Sequence, residues 1–162
     1  MIRKKKLYSR PMKPFESFRI AEENKIVKEY GLKNKKEVWR SLAKINYFKK
    51  RAMVLTKQTS EEQNVFFNKL RKLGLNVNSI TDVLGLQIGD LLKRRLPSII
   101  KHRGLASSVK QARQMVVHKK ITVNGEVINS PSYIVSTDEE NNIDRKKKTT
   151  SKEKNIEAEA VA

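Results

Sequence analysis

The chain has 162 residues, with 36 Lys and Arg against 17 Asp and Glu, so its formal net charge is +19. It contains no cysteine, which excludes a disulfide framework, a thiolate zinc site and a cysteine nucleophile. No window holds about 18 successive apolar residues and no apolar signal core follows the basic start, so we predict neither a transmembrane helix nor a signal peptide. The positive excess indicates a polyanionic partner, with nucleic acid favoured over an anionic membrane surface.

The positive charge is concentrated in two blocks of the chain. Residues 1–60 carry 18 basic and 5 acidic side chains, and residues 91–136 carry 9 and 1, whereas residues 61–90 and 137–162 are close to neutral. Apolar residues recur periodically inside both basic blocks, which a disordered basic tail would not show. We therefore expect ordered elements to display the cations.

Residues 1–14 are predicted to form an extended basic arm, because Pro11 and Pro14 exclude a regular helix there. The arm is either a mobile terminus in the free protein or a segment that orders on a polyanion. A helix is predicted over residues 15–30, with Gly31 in the position that commonly follows a helix end.

The strongest helical pattern follows Asn34, which with Glu37 three residues later resembles a capping box. The apolar stripe of this helix consists of Val38, Leu42, Ile45, Phe48, Ala52 and Leu55. Its cations on another face are Lys36, Arg40, Lys44 and Arg51. Because the whole chain is so basic, a phosphate-contacting face is favoured over a merely solvated one.

A third helix is predicted to begin near Ser60, with Phe67 as a core residue rather than a contact between subdomains. Two short helices are predicted over residues 88–95 and 97–102. They meet at a bend because Pro97 suits a first helical turn and disfavours the helical conformation in the residue before it.

A further helix, capped by Ser107 or Ser108, is followed by a change from helical to alternating periodicity. Asn124-Gly125 is typical of a type I′ hairpin turn, which requires positive φ at both central residues. The strands predicted around and after this turn are 121–123, 126–128 and 133–135.

The second basic block carries cations and amides that would surround one surface suited to a folded RNA, recognised through its backbone shape and 2′-OH groups. The candidate RNA-binding residues there are Arg94, Arg95, Lys101, Arg103, Lys110, Gln111, Arg113, Gln114, His118, Lys119, Lys120 and Asn124. In the arm they are Arg3, Lys4, Lys5, Lys6 and Arg10. For Tyr8 and Tyr47 the sequence leaves two roles open, packing within the protein and stacking on RNA bases.

Several runs resemble the S-four RNA-binding module and, upstream of it, the archaeal and eukaryotic branch of the universal S-four family of small-subunit ribosomal proteins. The module runs are Arg94-Arg95-Leu96, residues 104–114, Ile121-Thr122-Val123-Asn124-Gly125 and residues 130–135. The upstream runs are residues 10–15, residues 29–40 and Leu84-Gly85-Leu86. The likeness is colinear over roughly residues 7–144. Within this joint branch its details favour a eukaryotic cytosolic ribosome, with an archaeal one close behind.

The resemblance implies a structural protein without catalytic activity that binds small-subunit ribosomal RNA early and helps to nucleate subunit assembly. It also implies a position near the channel through which messenger RNA enters, beside the ribosomal proteins S-three and S-five. The implied location is the cytoplasmic ribosome, and the nucleolus during assembly if the protein is eukaryotic.

The predicted fold class is α+β, with a basic arm and helical subdomain, an S-four module of helix–loop–helix plus small β element, and a disordered tail. The predicted boundaries are 1–14 for the arm, 15–92 for the mainly helical RNA-binding subdomain, 93–136 for the module and 137–162 for the charged tail. The basic cluster at 145–148 is either a nuclear import patch or part of a solvated tail. Related modules often have glycine where Lys119 stands, so a required positive φ there would cost about 1 kcal/mol.

Two other classes of protein share part of this pattern. An RNA-modifying enzyme carrying the module as an accessory would need an acid, a base or a nucleotide-binding loop, and Asp82 and Asp90 are isolated carboxylates better explained as capping or surface groups. A peripheral membrane binder would need a basic helix with a free apolar face, whereas the stripe of the second helix is needed for the core. We therefore predict no enzyme activity, no cofactor, no metal ligand and no membrane partner.

Overall fold

Residues 6–146, which the computed structural model describes, form seven α-helices, one 3₁₀ turn and three short strands. The helices are α1 Ser17–Glu29, α2 Lys35–Leu55, α3 Ser60–Lys72, α4 Ile80–Gly85, α5 Ile88–Lys93, α6 Leu96–His102 and α7 Val109–Val117. The strands are β1 Ile121–Val123, β2 Glu126–Val127 and β3 Ile143–Arg145, and the 3₁₀ turn is Glu140–Asn142. We call α1–α5 the helical subdomain, and α6, α7 and the strands the module. The predicted α+β class is confirmed.

The first helix ends close to its predicted position, at a glycine that also brings two parts of the chain together. α1 spans Ser17–Glu29, and Gly31 follows with φ +56°. A Cβ at Gly31 would lie 3.2–3.3 Å from Val109 Cγ1 and the Lys110 amide nitrogen. Glycine is therefore required twice, for the left-handed backbone and for the close approach of the helical subdomain to α7.

The second helix begins after Asn34 as predicted, but two details of the prediction are wrong. Neither half of the capping box is present: the Asn34 side chain makes no capping hydrogen bond, and the Glu37 carboxylate binds two arginines instead of the Asn34 amide. Leu42 is 41 % exposed, since it lines an open groove beside α1 and α5. The stripe residues that are buried as predicted are Val38, Ile45, Phe48, Ala52 and Leu55.

The bend predicted at Pro97 is confirmed, because α5 ends at Lys93 and α6 carries Pro97 in its first turn. Arg94 and Arg95 lie in the bend. Arg95 also forms an isolated antiparallel bridge with Ile134, which ties the bend to the segment after the hairpin.

The module has a helix–loop–helix followed by a three-stranded antiparallel sheet of order β2-β1-β3. Asn124 and Gly125 have φ of +51° and +83°, which confirms the predicted hairpin turn. The strand predicted over 133–135 is wrong: the third strand is Ile143–Arg145, in which Ile143 pairs with Val123.

The module also extends beyond the boundary predicted at residue 136. Ile143 is a single apolar residue in a charged run, yet it is 2 % exposed and packs in the module core. Residues 143–145 pair with β1, and the Thr137 amide donates to the Lys72 carbonyl oxygen at the end of α3. The segment 137–146 is therefore folded rather than part of a tail. The remaining tail, residues 147–162, lies outside the described residues, as do residues 1–5 at the start of the arm.

Buried apolar side chains form three clusters. The module cluster contains Leu96, Ile100, Ala112, Val116, Ile121, Val123, Val135 and Ile143 among others. The larger cluster of the helical subdomain includes Ile45, Ala52, Leu70, Val83 and Phe67, and the core position predicted for Phe67 is confirmed. A smaller cluster is made by Leu32, Val38 and Leu92. The buried apolar side chains are thus divided among three clusters rather than gathered in one core.

Lys119 adopts the left-handed backbone conformation, with φ +57°, immediately before β1. An L residue with a Cβ is strained there, so we expect Lys119→Gly to raise the free energy of unfolding by about 1 kcal/mol in urea titrations. Lys120→Gly is the matched control, because Lys120 lies outside the left-handed region and glycine only adds backbone freedom there. Equal or opposite effects of the two substitutions would show that residue 119 is not strained.

Candidate nucleic-acid interface

One face of α2 displays the four cations predicted to contact phosphate. Lys36, Arg40, Lys44 and Arg51 are all exposed. The Lys44 ammonium lies 6.0 Å from the centre of the Phe48 ring, and partial burial lowers the pKa of Lys44. Lys36 and Arg51 are exposed on the same long helix, and Arg40 lies near the Tyr8 ring.

The described part of the arm, residues 6–14, folds back onto the helical subdomain. The centre of the Tyr8 ring lies 6.2 Å from the centre of the Trp39 ring and 5.6 Å from the Arg40 guanidinium. Arg19 donates hydrogen bonds to the carbonyl oxygens of Lys13 and Pro14, at 2.8 and 3.1 Å. These contacts give the arm a fixed path, and Tyr8 packs rather than standing free.

A buried carboxylate supports the attachment of the arm. Glu23 accepts hydrogen bonds from Arg19 at 2.7 Å and from the Trp39 indole nitrogen at 2.8 Å, and Lys35 lies 3.5 Å away. Burial alone would raise the pKa of Glu23, but these donors and charges outweigh it and lower the pKa. The same carboxylate therefore orients Arg19, which holds the arm, and Trp39, on which Tyr8 packs. Of the predicted arm residues, Lys6 and Arg10 are exposed, and Arg3, Lys4 and Lys5 lie outside the described residues.

The module exposes most of its predicted RNA-binding residues. The exposed ones are Lys101, Arg103, Lys110, Gln111, Gln114, His118, Lys119, Lys120 and Asn124. Two of them also bond within the protein. Gln111 accepts hydrogen bonds from the Ser107 amide and hydroxyl with its side-chain oxygen, which fixes the start of α7, while Arg103 donates to the Ile143 carbonyl oxygen at 3.2 Å.

Arg94 is engaged inside the protein rather than displayed. Its guanidinium donates to Glu140 at 2.7 Å and to the carbonyl oxygens of Leu73 and Val135 at 3.1 and 3.2 Å. The side chain thereby ties the end of α3 to the segment that leads into β3. It also packs over Gly74, where an added Cβ would lie only 2.3 Å from its Nε.

Arg95 and Arg113 are engaged in the same way, and both meet Glu37. Arg113 donates two hydrogen bonds to the Glu37 carboxylate, at 2.7 and 3.0 Å, and Arg95 donates a third at 2.7 Å. Arg95 also reaches the Ser132 hydroxyl at 3.3 Å. We call Glu37, Arg95 and Arg113 the carboxylate clamp.

The clamp strongly favours the ionised form of its carboxylate. Burial of Glu37 opposes ionisation, but the hydrogen bonds and charges of Arg113 and Arg95 outweigh it and lower the pKa of Glu37 to about 2. Sequence reasoning missed this role, because the partners lie 58 and 76 residues away along the chain and no local spacing links them.

Two other kinds of feature, a metal-binding group and a membrane-spanning helix, are not found among the described residues. Within residues 6–146, no group of three or more His, Asp or Glu side chains is arranged to hold a metal ion. None of the helices described is both long enough and apolar enough to cross a membrane.

A helix–loop–helix joined to a small antiparallel sheet, with cations along its exposed side, defines an S4-type RNA-binding module, and the S4 domain family model matches residues 94–141. The small ribosomal subunit protein uS4 of Nanoarchaeum equitans is 40 % identical over 152 residues, covering 89 % of this chain and 84 % of the relative. The protein of the same name from Methanothermobacter thermautotrophicus is 41 % identical over 145 residues, covering 86 % and 85 %. That of Haloquadratum walsbyi is 39 % identical over 147 residues, covering 85 % and 84 %. The chain belongs to the uS4 family of small ribosomal subunit proteins, and these three relatives are archaeal.

Proposed function

We propose that this protein is a structural constituent of the small ribosomal subunit that binds small-subunit ribosomal RNA. The observation that carries the proposal is the combination of family membership with two exposed sets of cations, one on α2 and one on the module. The α2 set contains Lys36, Arg40, Lys44 and Arg51. The module set contains Lys101, Arg103, Lys110, Lys119 and Lys120.

In this proposal the exposed cations contact phosphates, and each contact releases a condensed counterion from the RNA. The side-chain amides of Gln114 and Asn124, together with His118, stand among these cations and hydrogen-bond 2′-OH groups or base edges. Arg94, Arg95 and Arg113 stay on their internal partners and act through the folded shape of the protein. The proposal includes no catalytic step.

The finer position in the particle follows from the resemblance of the sequence to the family. We propose early binding at a multi-helix junction of the RNA, close to the channel through which messenger RNA enters and beside the ribosomal proteins S-three and S-five. We propose residence in cytoplasmic ribosomes, with a nucleolar stage in a eukaryotic cell. Crosslinking of intact small subunits, with the crosslinks placed on RNA and protein, tests each of these contacts.

The salt dependence of RNA binding tests the central proposal. We expect the affinity for transcribed small-subunit ribosomal RNA to fall steeply with salt, and Lys110→Glu to weaken it by about tenfold, because one phosphate contact is replaced by repulsion. Lys152→Glu, the same change in the tail, is the control and should have a smaller effect. Salt-insensitive binding, or equal effects of the two substitutions, would contradict the proposed surface.

A further inference from the structure

The carboxylate clamp joins two parts of the chain that are distant in sequence. Glu37 lies in the first turn of α2, Arg113 lies on α7, and Arg95 lies in the bend before α6. Their side chains are only 15 %, 19 % and 8 % exposed. One carboxylate thus connects the helical subdomain with the module.

The geometry of the clamp restricts rotation as well as separation. Arg113 binds both carboxylate oxygens, so its planar guanidinium lies in a fixed orientation to Glu37, and Arg95 shares one of these oxygens. Beside the clamp, Gly31 packs directly against the start of α7, and its carbonyl oxygen lies 3.5 Å from Arg113. The two halves therefore meet in one defined arrangement at this point.

The clamp residues are close neighbours in sequence of exposed residues on both α2 and α7. On α2, Lys36 precedes Glu37 directly and Arg40 follows it by three residues. On α7, Lys110 lies one helical turn before Arg113 and Gln114 follows it. Fixing Glu37 against Arg113 therefore fixes where these exposed side chains stand relative to each other.

We propose that Glu37, an acidic residue, is a positioning residue for RNA binding, because it holds the exposed cations of α2 and those of the module at the separation that one folded RNA requires. This inference rests on the proposed function. A surface that is ordered before binding loses less conformational freedom when the RNA arrives, so more of the contact energy appears as affinity. Glu37 itself makes no contact with RNA in this proposal.

The direction in which a Glu37 substitution changes the RNA affinity distinguishes a positioning role from an effect of net charge alone. Removing one negative charge from an RNA-binding protein should raise its affinity if only long-range electrostatics matters. If Glu37 positions the two cationic sets, Glu37→Gln instead lowers the affinity. Glu22→Gln removes the same charge from an exposed position on α1 and is the matched control.

The experiment measures the dissociation constant for transcribed small-subunit ribosomal RNA over a series of salt concentrations, with each variant shown to be folded by circular dichroism. We expect Glu37→Gln to weaken binding by about tenfold at every salt concentration, because the clamp no longer orders the surface, without change in the log–log slope. Lys110→Gln should instead reduce that slope by about 0.7–0.9, the share of one phosphate contact. Glu22→Gln should leave the affinity unchanged or raise it.

Glu37→Asp keeps the negative charge but shortens the side chain. This variant allows the inference to be tested even if Glu37→Gln does not fold. Its affinity for the RNA should lie between those of the wild type and Glu37→Gln, with the wild-type log–log slope of affinity against salt. Wild-type affinity in either Glu37 variant, or tighter binding by Glu37→Gln, overturns the inference while leaving the proposed function intact. Failure of the wild-type protein to bind the RNA overturns both.

Discussion

Leu92→Ala should lower the free energy of unfolding by about 3 kcal/mol. Leu92 lies on α5, is 0 % exposed, and packs with Leu32 and Val38 where α1, α2 and α5 meet. Truncation removes buried carbon atoms from this small cluster and leaves a cavity that its neighbours can fill only in part. Both the lost burial and the cavity therefore reduce stability.

Leu42→Ala is the matched control for Leu92→Ala, because it removes the same atoms from a side chain that is 41 % exposed. We expect it to cost about 1 kcal/mol or less. Urea titrations of the two variants and the wild type, followed by far-ultraviolet circular dichroism, give the comparison. Equal losses would mean that the cluster around Leu92 is not the joint between these helices.

Features that depend on a few neighbouring residues could be predicted from the sequence. Pro97 and the Asn124-Gly125 turn lie where the pattern places them, because a ring-fixed φ and a pair of positive φ values are local requirements. The end of α1 before Gly31 is also predicted from a local requirement, because Gly31 adopts a positive φ. These residues restrict the backbone before any tertiary contact is made.

The structure shows that Asp82 is a capping carboxylate, which is one of the two roles predicted for it. Ser79 and Asp82 form a capping box at the start of α4, in which the Ser79 hydroxyl accepts from the Asp82 amide and the Asp82 carboxylate accepts from the Ser79 amide. This spacing could have predicted α4. Apolar periodicity alone does not predict the helix, because its six residues are too few to show a period.

Features that depend on distant partners could not be predicted in this way. β3 contributes one buried residue, Ile143, to the module core, and nothing in its charged surroundings distinguishes it from a tail. Leu42 satisfies the helical period of α2 and is still exposed, because coverage of a stripe depends on where α1 and α5 lie. Both outcomes are decided by packing between elements rather than by pattern.

The sequence also does not show which basic side chains are exposed and which are engaged inside the protein. Arg94, Arg95 and Arg113 carry the same charge as their lysine neighbours, yet all three are engaged in ion pairs inside the protein. A guanidinium can bond a carboxylate and several carbonyl oxygens in one plane, which suits a joint between elements. Lysines such as Lys110 and Lys120 stay exposed, where a mobile ammonium suits phosphate.

The carboxylate clamp should also dominate the electrostatic contribution to stability. We expect Glu37→Gln to lower the free energy of unfolding by about 3 kcal/mol at pH 7, because Arg95 and Arg113 would remain largely buried without a charged partner. Glu22→Gln, at an exposed position on α1, should change it by less than about 0.5 kcal/mol. Urea titration of both variants and the wild type measures the difference.

The pH dependence of this difference provides an independent check. The folded pKa of Glu37 is about 2, below the ordinary value of 4.5, so its contribution is present above pH 4.5 and is lost as the pH falls towards 2. The shift corresponds to about 3 kcal/mol, of which about 2 kcal/mol should be lost by pH 3. Lowered pKa values of Glu23 and Glu139 also make the wild type less stable in acid, so only the difference between wild type and Glu37→Gln isolates the clamp.

Urea titrations of the wild type and Glu37→Gln at pH 7, 5 and 3 should therefore give a difference that is constant from pH 7 to 5 and contracts at pH 3. Glutamine cannot be protonated in this range, so the variant lacks the acid-sensitive contribution of residue 37. A difference that stays the same at all three pH values would show that the Glu37 carboxylate is no better stabilised in the folded protein than in the unfolded chain. In that case the joint between the helical subdomain and the module would depend on Gly31 and the Arg94 contacts instead.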